Sequence, residues 1–392
     1  MDTHFNIDER LYTAMHKCTR CGQCTYGKEE SGFSPLCPMQ IKGQFFTFSA
    51  GGLMQLARSL YEGKVDFSES IRDILFLCTT CGACEVNCGA ISSQIDLITL
   101  LKQEMLNSGI PLLEEHRTLC ENVLNKKAPY GGSLPDRADW LTEESRESIS
   151  HEPEIFYFVG CVSSYRETEI PKAVAEMMEK LNIPFTIGSE EWCCGAPLYF
   201  SGNEKMLPDI AKHNVEMIEA SEVQTAVFTC PTCAMIFKKY YPRWLKKDLN
   251  FEILHLSEFL ENLEYEGKLE LGKMEKDKTA IYHDPCHLGR GLDVYDPPRR
   301  IIDNIGGITL KEFSLSRENS FCCGGGGLLP AGTPEFSDDL ARRRLADIRD
   351  SGAELLISGC PGCKENLKIT ASSLKSGVKV IDIAELVNGV LR

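Results

Sequence analysis

Positive charge is in short supply in this chain of 392 residues: 42 Lys and Arg stand against 57 Asp and Glu, a formal net charge of −15 at pH 7. Such a surface repels phosphate backbones and anionic headgroups, which argues against nucleic acid as a partner. Long apolar runs are missing as well. The longest uncharged stretch near the N-terminus, Gly43 to Ala57, sits between Lys42 and Arg58 and contains Gly and Gln; it falls short of the about 20 apolar residues that a bilayer span needs. Met1-Asp2-Thr3-His4-Phe5 has no basic region leading into an apolar core, so no secretory signal is read there. Nor is there a nucleotide signature, because the quartet Gly324 to Gly327 lacks the following Lys-Ser/Thr of a phosphate loop. These absences predict a cytoplasmic protein with no transmembrane segment of its own, docked on the inner face of a membrane only through a partner.

Cysteine, by contrast, is abundant, at 19 residues. Cytosolic thiols are kept reduced, and an odd count does not suit a disulfide framework, so this usage points to metal binding. Ten of the thiols form two matching sets. Cys161 precedes Cys193-Cys194-Gly195 by 31 residues, and Cys230-Pro231-Thr232-Cys233 follows after 35 more. Cys286 precedes Cys322-Cys323-Gly324 by 35, and Cys360-Pro361-Gly362-Cys363 follows after 36. The near-constant offset marks an internal duplication. In each half a short apolar run, Ile155 to Val159 or Thr279 to His283, delivers the single Cys, and a later one, Thr225 to Thr229 or Glu354 to Ser358, delivers the Cys-x2-Cys pair. Strands alternating with helices predict two α/β units with their Cys loops at strand carboxyl ends.

A cube of iron and sulfur needs four thiolates, so five converging thiols imply an iron–sulfur assembly of another shape, or an open iron that can accept a substrate sulfur. Gly195 and Gly324 would let backbone N–H groups come close to it. A disulfide between adjacent Cys would leave three thiols idle in each half. Around the single Cys, the residues Tyr165, Arg166, His283, Asp284, His287 and Arg290 read either as loop packing or as a proton donor or carboxylate clamp. The run Arg342-Arg343-Arg344 reads as a solvated or docking face, and Cys120 as a small buried hydrophobe.

Ahead of these repeats lie Cys18-x2-Cys21-x2-Cys24, Cys37-Pro38 and Cys78-x2-Cys81-x2-Cys84-x3-Cys88. This spacing resembles that of two-cluster ferredoxin domains, in which the fourth Cys of each run serves the other cube. On that pattern Cys18, Cys21, Cys24 and Cys88 hold one [4Fe–4S] cube, and Cys37, Cys78, Cys81 and Cys84 the other. Twelve residues, Thr25 to Leu36, separate Cys24 from Cys37 where three are usual, and Gly89 stands where Pro is usual. Structural zinc prefers ligands in two pairs rather than triples, which disfavours a zinc ribbon. Leu53, Leu56, Leu60 and Ile91, Ile95, Ile98, Leu101, Met105 recur at helical spacing, so this part should be all-α.

Both repeats match the pattern of the Cys-Cys-Gly domain, and with the ferredoxin part in front the whole chain resembles the D-type subunit family of heterodisulfide reductases, a fusion of C-type and B-type subunits. The resemblance implies a noncubane [4Fe–4S] cluster on each quintet: Cys161, Cys193, Cys194, Cys230 and Cys233 for one, Cys286, Cys322, Cys323, Cys360 and Cys363 for the other. It further implies an oxidoreductase of anaerobic energy metabolism, working within a complex, that reduces a disulfide such as coenzyme M–coenzyme B heterodisulfide. Its electrons would come from a flavin subunit, a hydrogenase or formate dehydrogenase module, or a membrane cytochrome b. The alternative is an electron-relay subunit of a glycolate, lactate or glycerol-3-phosphate dehydrogenase complex that feeds a quinone. The expected organisation is a helical ferredoxin-like domain over 1–108, a linker with one helix over 109–153, and α/β Cys-Cys-Gly domains over 154–270 and 271–392.

Overall fold

The computed structural model describes residues 5–29 and 32–392; Met1 to His4, where a leader would begin, lie outside it. The expected class holds, with a helical N-terminal part followed by two parallel-sheet units.

The helical part is built on Ala50–Tyr61 and Gln94–Asn107, whose Leu53, Met54, Leu97, Ile98, Leu101 and Met105 are buried in one cluster. Ile91 precedes the second helix rather than belonging to it, yet it is buried in the same cluster. The insertion between Cys24 and Cys37 forms an antiparallel hairpin of β1 (Tyr26–Glu29) and β2 (Gly32–Pro35). Its ends meet, since the N–H groups of Leu36 and Cys37 both donate to the Thr25 carbonyl, at 2.8 and 3.1 Å. The extra length is thereby looped out, and Cys37 returns beside the cysteines of the runs.

Each repeat carries a four-stranded parallel sheet of the same order. In the first, β3 (Ile155–Phe158), β4 (Phe185–Ile187), β5 (Thr225–Phe228) and β6 (Glu252–His255) lie as β4-β3-β5-β6. In the second, β7 (Lys273–His283), β8 (Gly306–Lys311), β9 (Leu355–Ser358) and β10 (Lys379–Asp382) lie as β8-β7-β9-β10. Parallel strands covered on both faces read as continuous apolar runs, and successive side chains go to opposite cores. Ile155 and Tyr157 join Ala280, Tyr282, Leu355 and Ile357 in a core shared by both repeats, whereas Phe156 and Phe158 enter a core of the first repeat. The duplication extends to the last helix of each half. His255 with Glu258 and Asp382 with Glu385 form equivalent capping boxes, which satisfy the first free N–H groups of each helix.

The stretch 109–153 carries the helix Glu114–Lys126, a 3-10 turn over Pro135–Ala138 and the short helix Glu143–Glu147, and it buries His116, Cys120, Val123, Arg137 and Trp140. Cys120 and Val123 join the core of the first repeat, Trp140 joins the core that both repeats share, and His116 meets the Phe76 ring and the Leu328 carbonyl. The reading of Arg342-Arg343-Arg344 as a solvated face fails at Arg344, which is fully buried and stacked 3.4 Å over Phe313, while Arg342 stays part-exposed. Arg343 donates to the Pro35 carbonyl at 3.2 Å, which ties the second repeat to the hairpin.

Candidate iron–sulfur centres

The two ferredoxin-like runs fold alike. In Cys18-Thr19-Arg20-Cys21-Gly22 and Cys78-Thr79-Thr80-Cys81-Gly82, the third and fifth positions take left-handed backbone, with φ of 62° and 79° in the first run and 55° and 71° in the second. This curls each loop around its own thiols, and a non-glycine residue holds such a φ only where the surroundings enforce it. Cys18, Cys21, Cys24 and Cys88 line one cavity of ≈ 220 Å³ beside Gly51 and Met54. Cys37, Cys78, Cys81 and Cys84 lie within mutual electrostatic reach. Burial pushes the thiols of Cys37, Cys78 and Cys84 well up, that of Cys78 to about 11. For Cys81 a hydrogen bond with Cys322 is the main cause of the rise, with burial second. Thiolates in such a place call for a compensating positive charge of the kind iron supplies.

In the repeats the thiols gather at the carboxyl ends of the two central strands. Cys161 and Cys286 each open a helix just past β3 and β7, and Cys230 and Cys360 each cap a helix just past β5 and β9, with Cys233 and Cys363 in its first turn. The Cys-Cys-Gly turns are superposable in kind, for Gly195 and Gly324 share a φ of +87°. A Cβ on Gly324 would also meet the Ser337 carbonyl oxygen at 2.6 Å, so both conformation and space demand glycine there. In each quintet the second Cys of the adjacent pair sits between two thiols: Cys194 between Cys193 and Cys233, Cys323 between Cys322 and Cys363. These contacts pull Cys194 down to about 6 and Cys323 well below the usual thiol range. The Cys323 and Cys363 sulfurs are 3.1 Å apart, and all nineteen cysteines are unbridged.

One cavity of ≈ 350 Å³ opens onto both quintets. Its wall includes all five thiols of the first repeat and Cys286, Cys323, Cys360 and Cys363 of the second. Cys322 turns instead toward Cys81 of the helical part. The cavity is mainly apolar, with Arg166 and Glu365 paired at 2.9 Å on its wall and the Arg166 guanidinium 4.2 Å from the Tyr130 ring.

The flanking residues singled out from sequence divide by role. Tyr165 donates to the Ser133 carbonyl, and Asp284 is held by Arg299 in a bidentate pair at 2.7 and 2.9 Å, so both are packing groups. Arg290 donates to the Cys81 carbonyl at 2.7 Å and to those of Glu318 and Ser320 at 2.9 Å. His287 lines the cavity, but both its ring nitrogens are engaged: Nε2–H donates to the Thr80 carbonyl at 3.1 Å, and Nδ1 accepts from the Thr232 hydroxyl at 2.8 Å. Of the Gly quartet, Gly326 and Gly327 serve a close approach, since a Cβ on either would strike the backbone of Cys78 and Thr79.

Sequence reading missed a buried charge system under the first quintet. Glu191 accepts from the N–H groups of Val159 and Gly160, at 2.8 and 2.9 Å, and pairs with buried Arg137, whose guanidinium reaches Cys161 Sγ at 3.8 Å. It also missed Lys102, buried between the helical part and the first repeat, where it donates to the Phe200 carbonyl at 2.9 Å over the Phe76 ring. No motif marks either. Cys120 behaves as expected, buried and 3.3 Å from the Ser201 hydroxyl.

Soft thiolate donors in two runs and two quintets, set where buried sulfur needs cationic metal, define an iron–sulfur oxidoreductase. The 4Fe-4S dicluster domain model matches residues 14–90, and the cysteine-rich (CCG) domain model matches residues 155–238 and 280–368. The chain is 33% identical over 398 residues to the D-type subunit of the dihydromethanophenazine:CoB–CoM heterodisulfide reductase of Methanosarcina acetivorans, covering 97% of this chain and 96% of that protein. It belongs to the family of these D-type heterodisulfide reductase subunits. It is also 29% identical to an EtfAB:quinone oxidoreductase of Syntrophomonas wolfei, over 81% of this chain but only 46% of that one. Among solved structures, a hypothetical protein from Helicobacter pylori shares the fold, with a TM-score of 0.59 at 11% identity over 88% of this chain and 68% of that one. No helix among the described residues is long and apolar enough to cross a membrane.

Proposed function

We propose that the chain is the disulfide-reducing subunit of a complex, splitting a small disulfide of the coenzyme M–coenzyme B type into two thiols. The observation that carries this reading is the single cavity walled by both thiol quintets. A disulfide lying in it would present one sulfur to each repeat. On this reading Cys18, Cys21, Cys24 and Cys88 hold one cube, Cys37, Cys78, Cys81 and Cys84 the other, and each quintet a noncubane cluster. When bound, these groups would supply electrons one at a time. The overall change takes two electrons and two protons: the S–S bond breaks, and each sulfur leaves as a thiol.

The chain's own residues then arrange the reaction. The contact of Cys81 with Cys322, clamped by Arg290, makes the second repeat the entry point for electrons from the helical part. The apolar wall excludes water, and Arg166 can turn from Glu365 to an anionic end of the substrate. His287, with both nitrogens engaged, is not the proton donor.

Anaerobically isolated protein should contain about sixteen iron, four for each of four clusters, and Cys120→Ser should keep them all. With a reduced dye as donor it should turn over a disulfide. Full iron with no turnover of any disulfide would favour the relay reading, which the likeness to the EtfAB:quinone oxidoreductase supports.

A further inference from the structure

The two quintets are not equivalent, and the difference lies in one side chain. Counting back three residues from the single Cys gives Phe158 in the first repeat and His283 in the second, each the last residue of the central strand. Their partners across the sheet differ in step, Phe228 in the first and Ser358 in the second. Phe158 stacks on Phe228 at 5.1 Å between centroids and can donate nothing. His283 is 1% exposed, and one of its ring nitrogens lies with the sulfurs of Cys323 and Cys363 in a group spanning no more than 4.8 Å.

The tautomer of His283 follows from its neighbour. A guanidinium Nε–H can only donate, and Arg344 Nε lies 3.3 Å from His283 Nδ1. Nδ1 is therefore the acceptor, and the neutral ring carries its proton on Nε2. That Nε2 is buried with no hydrogen-bond partner among the described residues. A buried donor left without an acceptor is costly, so this N–H calls for an acceptor in its surroundings.

We propose that His283 Nε2–H donates a hydrogen bond to the sulfur of the cluster held by the second quintet, a positioning and tuning contact that the first quintet lacks. This rests on the five-thiol clusters of the proposed function. A hydrogen bond to cluster sulfur stabilises the more negative, reduced state and raises its potential. Since Cys322 of the second quintet meets Cys81, a cluster held there would be the first to take an electron from the helical part, and one held by the first quintet would be the stronger reductant toward the disulfide.

The test is an EPR-monitored redox titration of the anaerobic holoprotein, comparing wild type with His283→Phe, the residue of the twin site, and with His283→Gln, which keeps an N–H donor. The Phe variant should lower the midpoint of one noncubane signal and leave the other where it was; the Gln variant should return it toward wild type. Unchanged midpoints at full iron content, or equal shifts in both signals, would overturn the proposal. Should the Phe variant lose iron, pulsed EPR of wild type carrying ¹⁵N-histidine decides. A weak nitrogen coupling on one cluster only is expected; no coupling, or the strong coupling of a directly bonded nitrogen, refutes it. Disulfide turnover is scored separately: lost turnover with distinct midpoints removes the disulfide reading alone, and full turnover with unmoved midpoints removes the histidine contact alone.

Discussion

Arg290 of the second repeat donates its Nε–H to the carbonyl oxygen of Cys81 at 2.7 Å, across a sequence separation of 209 residues. The same guanidinium holds the carbonyls of Glu318 and Ser320, so one side chain sets the distance between a thiol of the helical part and Cys322.

Replacing Arg290 by Ala should loosen that junction. Hydrogen bonds from a charged group contribute about 1.5–3 kcal/mol each, so the melting temperature should fall measurably. Stopped-flow reduction should show electrons still arriving at the helical part but passing slowly to the second repeat. Arg290→Lys, without the planar fork, should rescue only partly. Transfer at the wild-type rate in the Ala variant would show that the clamp does not set the junction.

Glu191→Ala should be among the most damaging single changes in the chain. It strands buried Arg137 and leaves the N–H groups of Val159 and Gly160 unpartnered beside Cys161. Breaking a buried ion pair by removing one partner costs about 3–5 kcal/mol. Iron content should fall by about four per chain, one cluster's worth, and the loss should fall on the first repeat. An Ala variant with full iron and an unaltered melting temperature would contradict this.

Asp382 offers a pH-dependent test away from the thiols. Its Oδ1 caps the last helix by accepting from the Ala384 N–H at 3.0 Å, while its buried Oδ2 has no partner among the described residues. Burial pushes this carboxyl up to about 7. The folded state thus keeps a proton that the unfolded chain gives up above about pH 4. Stability is lost as pH rises between these values, by roughly 1.4 kcal/mol per pH unit, and levels off above the folded value. Asp382→Asn preserves the cap and removes the titration, so its melting temperature should vary less from about pH 5 to 7. Equal slopes in variant and wild type would exclude Asp382 as the source.

Much of this molecule was legible because the thiols are fixed by local chain geometry. A Cys just past a buried strand, or in a Cys-x2-Cys turn, keeps its spacing whatever surrounds it, so Cys161, Cys230, Cys286 and Cys360 announced both the sheets and their carboxyl ends. The hidden parts depend on contacts between residues far apart in the chain. Arg137 and Glu191 are 54 residues apart and carry no motif, and Arg344 reads as one of three surface cations until Phe313, Leu315 and His283 close around it. His283 was visible only as a residue near a Cys; its difference from Phe158 acquired meaning once β3 and β7 were seen to occupy the same place in their sheets.

The hairpin between Cys24 and Cys37 leaves and rejoins the chain at a single residue, Thr25, and presents Phe33 to solvent. It leans on the second repeat, where the Lys28 N–H donates to Asn319 Oδ1 at 3.0 Å and Arg343 donates to the Pro35 carbonyl, yet its length is decoupled from the spacing of the cysteines on either side. A label on its exposed Phe33 leaves that spacing untouched and would report on whatever approaches that flank.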